Sequence, residues 1–165
     1  MEQKPYYDLN SFLRRRFGCR VQKVSLDAGL GCPNRDGSKG RGGCIYCNER
    51  GSGTGRAATQ SLPEQLASAK SFLASRYKAR KFLGYFQSFS NTYAPLPVLR
   101  GLYSQVLADP DVVGLCIGTR PDCVDEPTLD YLAELNREYL IWLEYGLQSA
   151  HEATLAAINR GHGVE

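Results

Sequence analysis

Six cysteines occur in the chain, and three of them fall within one glycine-rich segment. Eleven residues separate Cys32 from Cys44, and two separate Cys44 from Cys47. The opening residues do not resemble a secretion signal, so we expect free thiols, and spaced cysteines of this kind indicate a metal site or a catalytic thiol. The Cys-x2-Cys pair can supply two ligands of a metal centre, and the flexible loop allows Cys32 to supply the third.

The number of thiolates bears on which metal is bound. A structural zinc site takes four ligands, and its best fourth ligand here would be Cys19. A four-iron cluster bound by three cysteines instead leaves one iron open, where S-adenosylmethionine (SAM) can chelate through its amino and carboxylate groups. Such a centre is negatively charged, and Arg35, Lys39 and Arg41 in the same segment would offset that charge.

Strand-like and helix-like segments alternate along the chain. Apolar runs predict four strands, at residues 21–26, 82–86, 112–119 and 139–144. Each strand is followed by a signal for a helix start: a capping box of Ser61 and Glu64, then Pro97, then Asp125, then a second capping box of Ser149 and Glu152. The alternation predicts an α/β fold of right-handed parallel βα units, with the third strand buried on both faces.

The 165 residues correspond to about one domain. Four parallel strands cannot close a barrel, so we expect residues 1–165 to form a single, partial (βα) barrel with helices outside, truncated before strands five and six. Residues 1–20 would be an N-terminal helical extension and residues 27–59 the cluster-binding loop. A small self-contained four-stranded α/β domain is the alternative. In either case, function should collect on the loops after the carboxyl ends of the strands.

Charge is distributed unevenly along the sequence. Residues 1–60 contain 11 Lys and Arg against 5 Asp and Glu, whereas the remaining residues contain 9 against 12. A basic front end suits an anionic cofactor or nucleic acid, although a solvated helix around Arg14, Arg15 and Arg16 would give the same count. No apolar stretch approaches the roughly 20 residues of a membrane span, so we expect a cytoplasmic protein with no membrane partner.

Five stretches of the sequence resemble the YhcC-like family of radical SAM enzymes. They are the cysteine segment with its widened spacing and residues 17–29, 85–95, 118–123 and 146–151. The chain is more distantly similar to elongator-type tRNA-modifying radical SAM enzymes, which share the Cys-Pro, Cys-x-Tyr-Cys and Thr-Arg-Pro-Asp elements. The resemblance covers nearly the whole chain.

This resemblance implies an enzyme that binds a 4Fe-4S cluster and SAM and generates a 5′-deoxyadenosyl radical for hydrogen abstraction from its substrate. Cys32, Cys44 and Cys47 match the cluster ligands. The implied SAM contacts are Tyr46 beside the adenine, Gln148 at the ribose or methionine, Arg160 at the carboxylate, and further Gln87, Asn91 and Thr119. A Gly-Gly-Glu element that often grips the SAM amino group is replaced by residues 87–91. An electron donor such as flavodoxin or ferredoxin is implied, and tRNA is the suggested substrate.

A different class of function also accommodates these residues. A non-catalytic zinc- or iron–sulfur-binding module could recognise nucleic acid through the basic front end. The remaining thiols carry weaker expectations: Cys116 lies in an apolar strand and should be an inert buried thiol, while Cys123 follows the third strand on the functional rim.

Overall fold

The computed structural model describes residues 5–51, 53 and 60–165. Its single sheet has four parallel strands in the order β1-β2-β3-β4. The strands are β1 (Val21–Leu26), β2 (Lys81–Phe86), β3 (Val112–Thr119) and β4 (Leu140–Tyr145). The prediction of four parallel strands is confirmed, and each predicted boundary lies within one residue of the observed one.

Helices precede the first strand and follow each of the four. They are α1 (Leu9–Phe17), α2 (Leu62–Tyr77), α3 (Leu96–Leu107), α4 (Glu126–Leu135) and α5 (Glu152–Ala157). A short 3-10 turn, Pro121–Cys123, lies between β3 and α4. The predicted cluster-binding loop, residues 27–59, ends in a stretch that lies outside the described residues.

Three of the four predicted helix starts match the structure. Ser61 and Glu64 form the capping box of α2, Asp125 caps α4, and Pro97 lies in the first turn of α3. The capping box predicted from Ser149 to Glu152 is wrong, because α5 begins only after His151. The Ser149 hydroxyl instead accepts from the backbone N–H of His151 at 3.1 Å and is used in the turn before the helix.

The sheet is covered on both faces, which explains the burial of its central strands. Helices α2, α3 and α4 cover one face, where Phe86, Leu99 and Leu115 belong to the larger core cluster. Helix α1 covers part of the other face, where Leu13 packs with Cys116. The prediction that β3 is buried on both faces is confirmed. The sequence assigns the N-terminal helical extension to neither face, and the structure places α1 on the face opposite to α2, α3 and α4.

The sheet is strongly curved. The Lys23 ammonium lies 2.6 Å from Oε1 of Glu144, although β1 and β4 are separated by two strands and would lie about 14 Å apart in a flat sheet. Side chains that stand perpendicular to a flat sheet would not meet across that distance. Curvature therefore brings these two onto one concave face, together with Tyr85 and Trp142, whose rings lie 4.5 and 5.6 Å from the ammonium.

Within the described ranges, none of the helices has the combined length and apolar character needed to cross a bilayer.

Candidate functional site

The loops at the carboxyl ends of the four strands meet around one cavity of about 330 Å³. Residues from every one of these loops line it. They include Cys32, Cys44, Tyr46 and Cys47 after β1, Gln87 and Ser90 after β2, Thr119 and Arg120 at the end of β3, and Gln148 and Arg160 after β4. Tyr85 and Glu144, from the concave face, form its floor. The three cysteines of the loop and most of the predicted SAM contacts thus share one cavity.

The three loop cysteines differ in burial. Cys44 is buried, while Cys32 and Cys47 are half-buried. Among the residues that the structure describes, no three His, Cys, Asp or Glu side chains converge as ligands of a single metal ion. That geometry concerns one ion, whereas the cysteine ligands of an iron–sulfur cluster bind different iron atoms and stand farther apart.

Cys44 has two hydrogen-bond donors beside its sulfur. Nη1 of Arg160 and Nδ2 of Asn34 each lie 3.5 Å from its sulfur. Burial alone would raise the pKa of Cys44, but hydrogen bonds from Arg160, Tyr46 and Asn34, together with the positive charge of Arg160, outweigh it and lower that pKa. The site therefore favours a thiolate at Cys44, the form that binds metal.

Tyr46 lies between the last two cysteines and is half-exposed at the cavity. Burial and its hydrogen bond to Cys44 raise the pKa of the phenol to about 12. The hydroxyl consequently stays protonated and can keep donating to the Cys44 sulfur.

The basic residues of the loop have separate structural roles. The Arg35 guanidinium donates to the carbonyl oxygens of Cys47 and Asn48 at 3.0 and 2.6 Å and lies over the Phe89 ring. Lys39 pairs with Asp122 at 2.7 Å. Arg35 therefore holds the backbone around Cys47, and Lys39 ties the loop to the end of β3.

The segment after α5 fastens the cysteine loop from the other side. The backbone N–H of Ile45 donates to the carbonyl of Ile158 at 3.1 Å. The Asn159 amide donates to the carbonyl of Gly43 at 2.8 Å, and Asn159 itself adopts a left-handed conformation, with φ of 53°. These contacts align Arg160 with Cys44.

Arg160 uses all three guanidinium nitrogens within the protein. Nε donates to His162 at 2.9 Å, Nη1 to the Cys44 sulfur at 3.5 Å, and Nη2 to the carbonyl of Gly146. Its observed contacts thus include the sulfur of Cys44. The sequence resemblance placed it at the SAM carboxylate.

The other predicted SAM contacts fall into two groups. Gln87, Thr119 and Gln148 line the cavity, and the Thr119 hydroxyl is 2.6 Å from that of Thr92. Asn91 does not line the cavity: it is fully buried behind the rim, where its amide donates to the carbonyl of Gly118 at 2.8 Å.

Two buried residues of the site were not singled out from the sequence. Asn34 contacts Cys44, and Arg120 pairs with Asp122 at 2.9 Å while donating to the carbonyl of Arg160 at 2.8 Å. The sequence did contain an indication for Arg120, because the carboxylate of Asp122, two residues later, is close enough in the chain to pair with it. Asn34 gave no such signal, since its partners are distant in sequence.

The other three cysteines do not line this cavity. Cys19 is at the amino end of β1, beside Lys81 and Asp111, and so at the opposite end of the sheet from Cys32. Cys116 is fully buried against α1, as predicted, and burial raises its pKa to about 11. Cys123 lines a separate shallow cavity with Tyr93.

The geometry defines a curved, parallel α/β protein with a cysteine-lined cavity at the carboxyl ends of its strands.

No protein-family model matches the chain. The chain is 47% identical over 161 residues to the uncharacterized protein YtqA of Bacillus subtilis, which covers 97% of this chain and 50% of YtqA. It is 46% identical over 151 residues to protein YhcC of Escherichia coli, which covers 91% of this chain and 48% of YhcC. An uncharacterized protein of Methanocaldococcus jannaschii is 38% identical over 156 residues, or 93% of this chain and 47% of its own length. The chain thus spans about half the length of the curated relatives it matches.

Proposed function

We propose that this chain is a radical SAM protein of the YhcC-like family, with a 4Fe-4S cluster bound by Cys32, Cys44 and Cys47. One observation carries the proposal: three cysteines of a single loop line the same cavity as residues from the ends of all four strands. The similarity to YhcC and YtqA extends over nearly the whole chain and so includes every one of these loops.

The residues present fit a cluster held by three thiolates. Cys44 is surrounded by donors that stabilise its anionic form, and Arg160 supplies a buried positive charge beside it. Such donors offset the negative charge of cysteine-bound iron–sulfur centres. When bound, the cluster and SAM would supply one-electron cleavage of SAM and hydrogen abstraction, while the protein binds, orients and shields them.

The cavity, at about 330 Å³, falls at the lower end of the range of small-molecule sites, roughly 300 to 1,000 Å³. In this proposal Tyr46 packs beside the adenine. Gln148, Gln87 and Thr119 provide polar contacts from the carboxyl ends of three different strands. Arg160 orients Cys44 and presents its positive charge toward the same space.

Partners and substrate are part of the same proposal. A flavodoxin or ferredoxin would deliver the electron, and the substrate, for which we propose tRNA, would approach the cavity from the carboxyl ends of the strands. The cellular location we propose is the cytoplasm.

Anaerobic reconstitution tests the cluster directly. We expect about four iron and four sulfide per chain with a broad visible absorption band, and loss of that band in Cys32→Ala, Cys44→Ala and Cys47→Ala. Cys19→Ala is the matched control, since Cys19 is a half-buried cysteine at the opposite end of β1 and should keep the full iron content. A full cluster in Cys44→Ala would contradict the assignment.

The same experiment separates the enzyme from a zinc-binding module. A structural zinc site would need Cys19 as its fourth ligand. Cys19 lies at the opposite end of β1 from the other three cysteines, and this strand of six residues is about 20 Å long. Binding of one zinc per chain with no visible band would favour the module.

A further inference from the structure

Asn34 is a buried residue that contacts both the cysteine loop and the segment after α5. Its amide nitrogen donates to the carbonyl oxygen of Asn159 at 2.6 Å and lies 3.5 Å from the Cys44 sulfur. The side chain is only 1% exposed. One amide group therefore connects a cysteine ligand of the proposed cluster to a segment that lies 125 residues away in sequence.

The orientation of this amide is determined by its neighbours. The carbonyl oxygen of Asn159 can only accept a hydrogen bond, so the NH2 group of Asn34 must face it, and the same group then faces Cys44. The Oδ1 atom has no hydrogen-bond partner. It is enclosed by two glycines, since a Cβ added at Gly40 or Gly161 would lie 2.2 or 2.7 Å from it.

A buried amide with an unpaired oxygen destabilises the folded chain. A leucine of similar size would avoid that cost, so packing does not account for asparagine here. What asparagine provides, and leucine cannot, is the pair of N–H donors toward Cys44 and Asn159.

We propose that Asn34 is a positioning residue for Cys44 and raises the reduction potential of the cluster, together with Arg160. This inference rests on the proposed function, because it requires the cluster to be bound. An N–H dipole aimed at a ligand sulfur stabilises the reduced cluster, which carries more negative charge, over the oxidised one. Removing the donor should therefore make reduction harder.

The chain offers a closely matched control. Asn91 is also a buried asparagine that donates to a backbone carbonyl and whose Oδ1 has no partner, but it contacts Gly118 rather than a cysteine. In reconstituted protein, a redox titration followed by electron paramagnetic resonance should show a more negative midpoint potential and altered g-values for Asn34→Leu. Asn91→Leu should retain the wild-type potential and spectrum.

A second variant displaces the same amide without removing it. Gly40→Ala places a Cβ against Oδ1 of Asn34 and should shift the potential in the same direction, whereas a Cβ at Gly31, in the same loop, meets nothing within 4 Å and should have no effect. If Asn34→Leu fails to fold, the midpoint potential of Gly40→Ala alone tests the proposal.

The outcomes separate this inference from the function on which it rests. A wild-type protein that binds no cluster overturns the proposed function. A wild-type cluster whose potential is unchanged in both Asn34→Leu and Gly40→Ala, or shifted equally in Asn91→Leu, overturns the role of Asn34 alone.

Discussion

Arginine side chains at the rim are used to hold the polypeptide as much as to provide charge. Arg120 is the largest fully buried side chain of the described residues, and its charge is balanced by Asp122. Through its bond to the carbonyl of Arg160, this pair also supports the residue that reaches Cys44. The buried ion pair is therefore part of the scaffold of the cysteine site.

Replacing Asp122 should destabilise the fold because it leaves the buried Arg120 charge unbalanced. For Asp122→Asn we expect the free energy of unfolding at pH 7 to fall by about 3 kcal/mol, measured by urea denaturation. The exposed pair of Arg100 and Glu134, 3.7 Å apart, provides the control. Glu134→Gln should cost less than about 0.5 kcal/mol, and an equal loss in both variants would contradict this role.

The same pair predicts a pH dependence. Burial alone would raise the pKa of Asp122, but Arg120 and Lys39 outweigh it and hold that pKa well below its usual value of 3.8. At a pH between the folded-state and the unfolded-state pKa of Asp122, the unfolded chain binds more protons than the folded chain. The contribution of the ion pair to stability is therefore complete above about pH 4 and is lost as the pH falls below it. Denaturation curves at pH 5 and pH 3 should therefore show an acid loss of stability that is smaller in Asp122→Asn.

Gln148 provides a test of the proposed SAM contacts. The residue lines the cavity in a left-handed conformation, with φ of 74°, so Gln148→Gly removes the amide without introducing backbone strain. We expect SAM affinity to fall about tenfold, the effect of losing one hydrogen bond of about 1.4 kcal/mol, with unchanged iron content. Calorimetric titration measures the SAM affinity, and Gln105→Ala, on α3, is the control. Wild-type SAM affinity in Gln148→Gly would contradict the assignment of Gln148 to the site.

At this scale the sequence identified the residues of the loops but not all of their contacts. The cysteines could be predicted from their spacing, and Gln148 was implied by the family resemblance. Both follow strands whose ends share a rim. Asn34 and Arg120 act through carbonyls 125 and 40 residues away, and no local pattern encodes such pairs. The contact of Arg160 with Cys44 was missed for the same reason.

Among the secondary-structure elements, β3 and β4 lie close together at a glycine. A Cβ added at Gly114 would lie 2.0 Å from the carbonyl oxygen of Leu140, its partner residue on β4. Backbone cannot give way as a side chain can, so a larger residue must separate the strands.

Two glycine substitutions should therefore have opposite effects on stability. Gly114→Ala should lower the free energy of unfolding by more than about 3 kcal/mol, as expected for an overpacked core. Gly101→Ala, inside α3 with nothing within 4 Å, should raise it by roughly 0.5 to 1 kcal/mol. Thermal unfolding followed by circular dichroism measures both, and a stable Gly114→Ala variant would show that the strands can separate at little cost.

The ion pair between β1 and β4 should contribute to the curvature of the sheet. Burial alone would lower the pKa of Lys23, but its hydrogen bond to Glu144, together with Coulombic attraction to Cys116, Glu144 and Tyr85, outweighs this and raises it. A double-mutant cycle with Lys23→Ala and Glu144→Ala should give a coupling free energy of about 1 kcal/mol. Additive effects of the two substitutions would mean that the contact does not stabilise the curved form.

Element boundaries were predictable where apolar periodicity was strong, as in all four strands. The start of α5 was not, because Ser149 satisfies a turn amide instead of capping the helix. The face covered by α1 was also not predictable, since amphipathic periodicity shows that a helix buries one side but not which side of the sheet receives it.

For the whole molecule, the basic front end of the sequence does not form one surface. Leu13 of α1 packs with Val21 and Leu140, the first residues of β1 and β4, so α1 and its exposed arginines lie toward the amino ends of the strands. The cysteine loop, with Arg41 and Arg50 exposed, lies at the carboxyl ends. Charge that is adjacent in sequence is thus divided between two ends, and the cavity lies at the end that carries the second group.

The two outer strands expose backbone hydrogen-bonding groups. Among the described residues, β1 pairs only with β2 and β4 pairs only with β3. Along β4 the side chains of Ile141 and Leu143 are only half-buried, and Tyr145 is 48% exposed. Unpaired strand edges with apolar side chains favour pairing with another chain.

We therefore expect the 165-residue chain to self-associate through β4. Light scattering coupled to size exclusion should show a mass that rises with protein concentration. Tyr145→Lys should lower that mass, because a charged side chain on an outer strand opposes edge-to-edge pairing. Tyr6→Lys is the control, since Tyr6 is also an exposed tyrosine but lies before α1 and outside the strands. A monomer mass at every concentration would contradict this role of the edge, and equal suppression by both variants would place the contact on another surface.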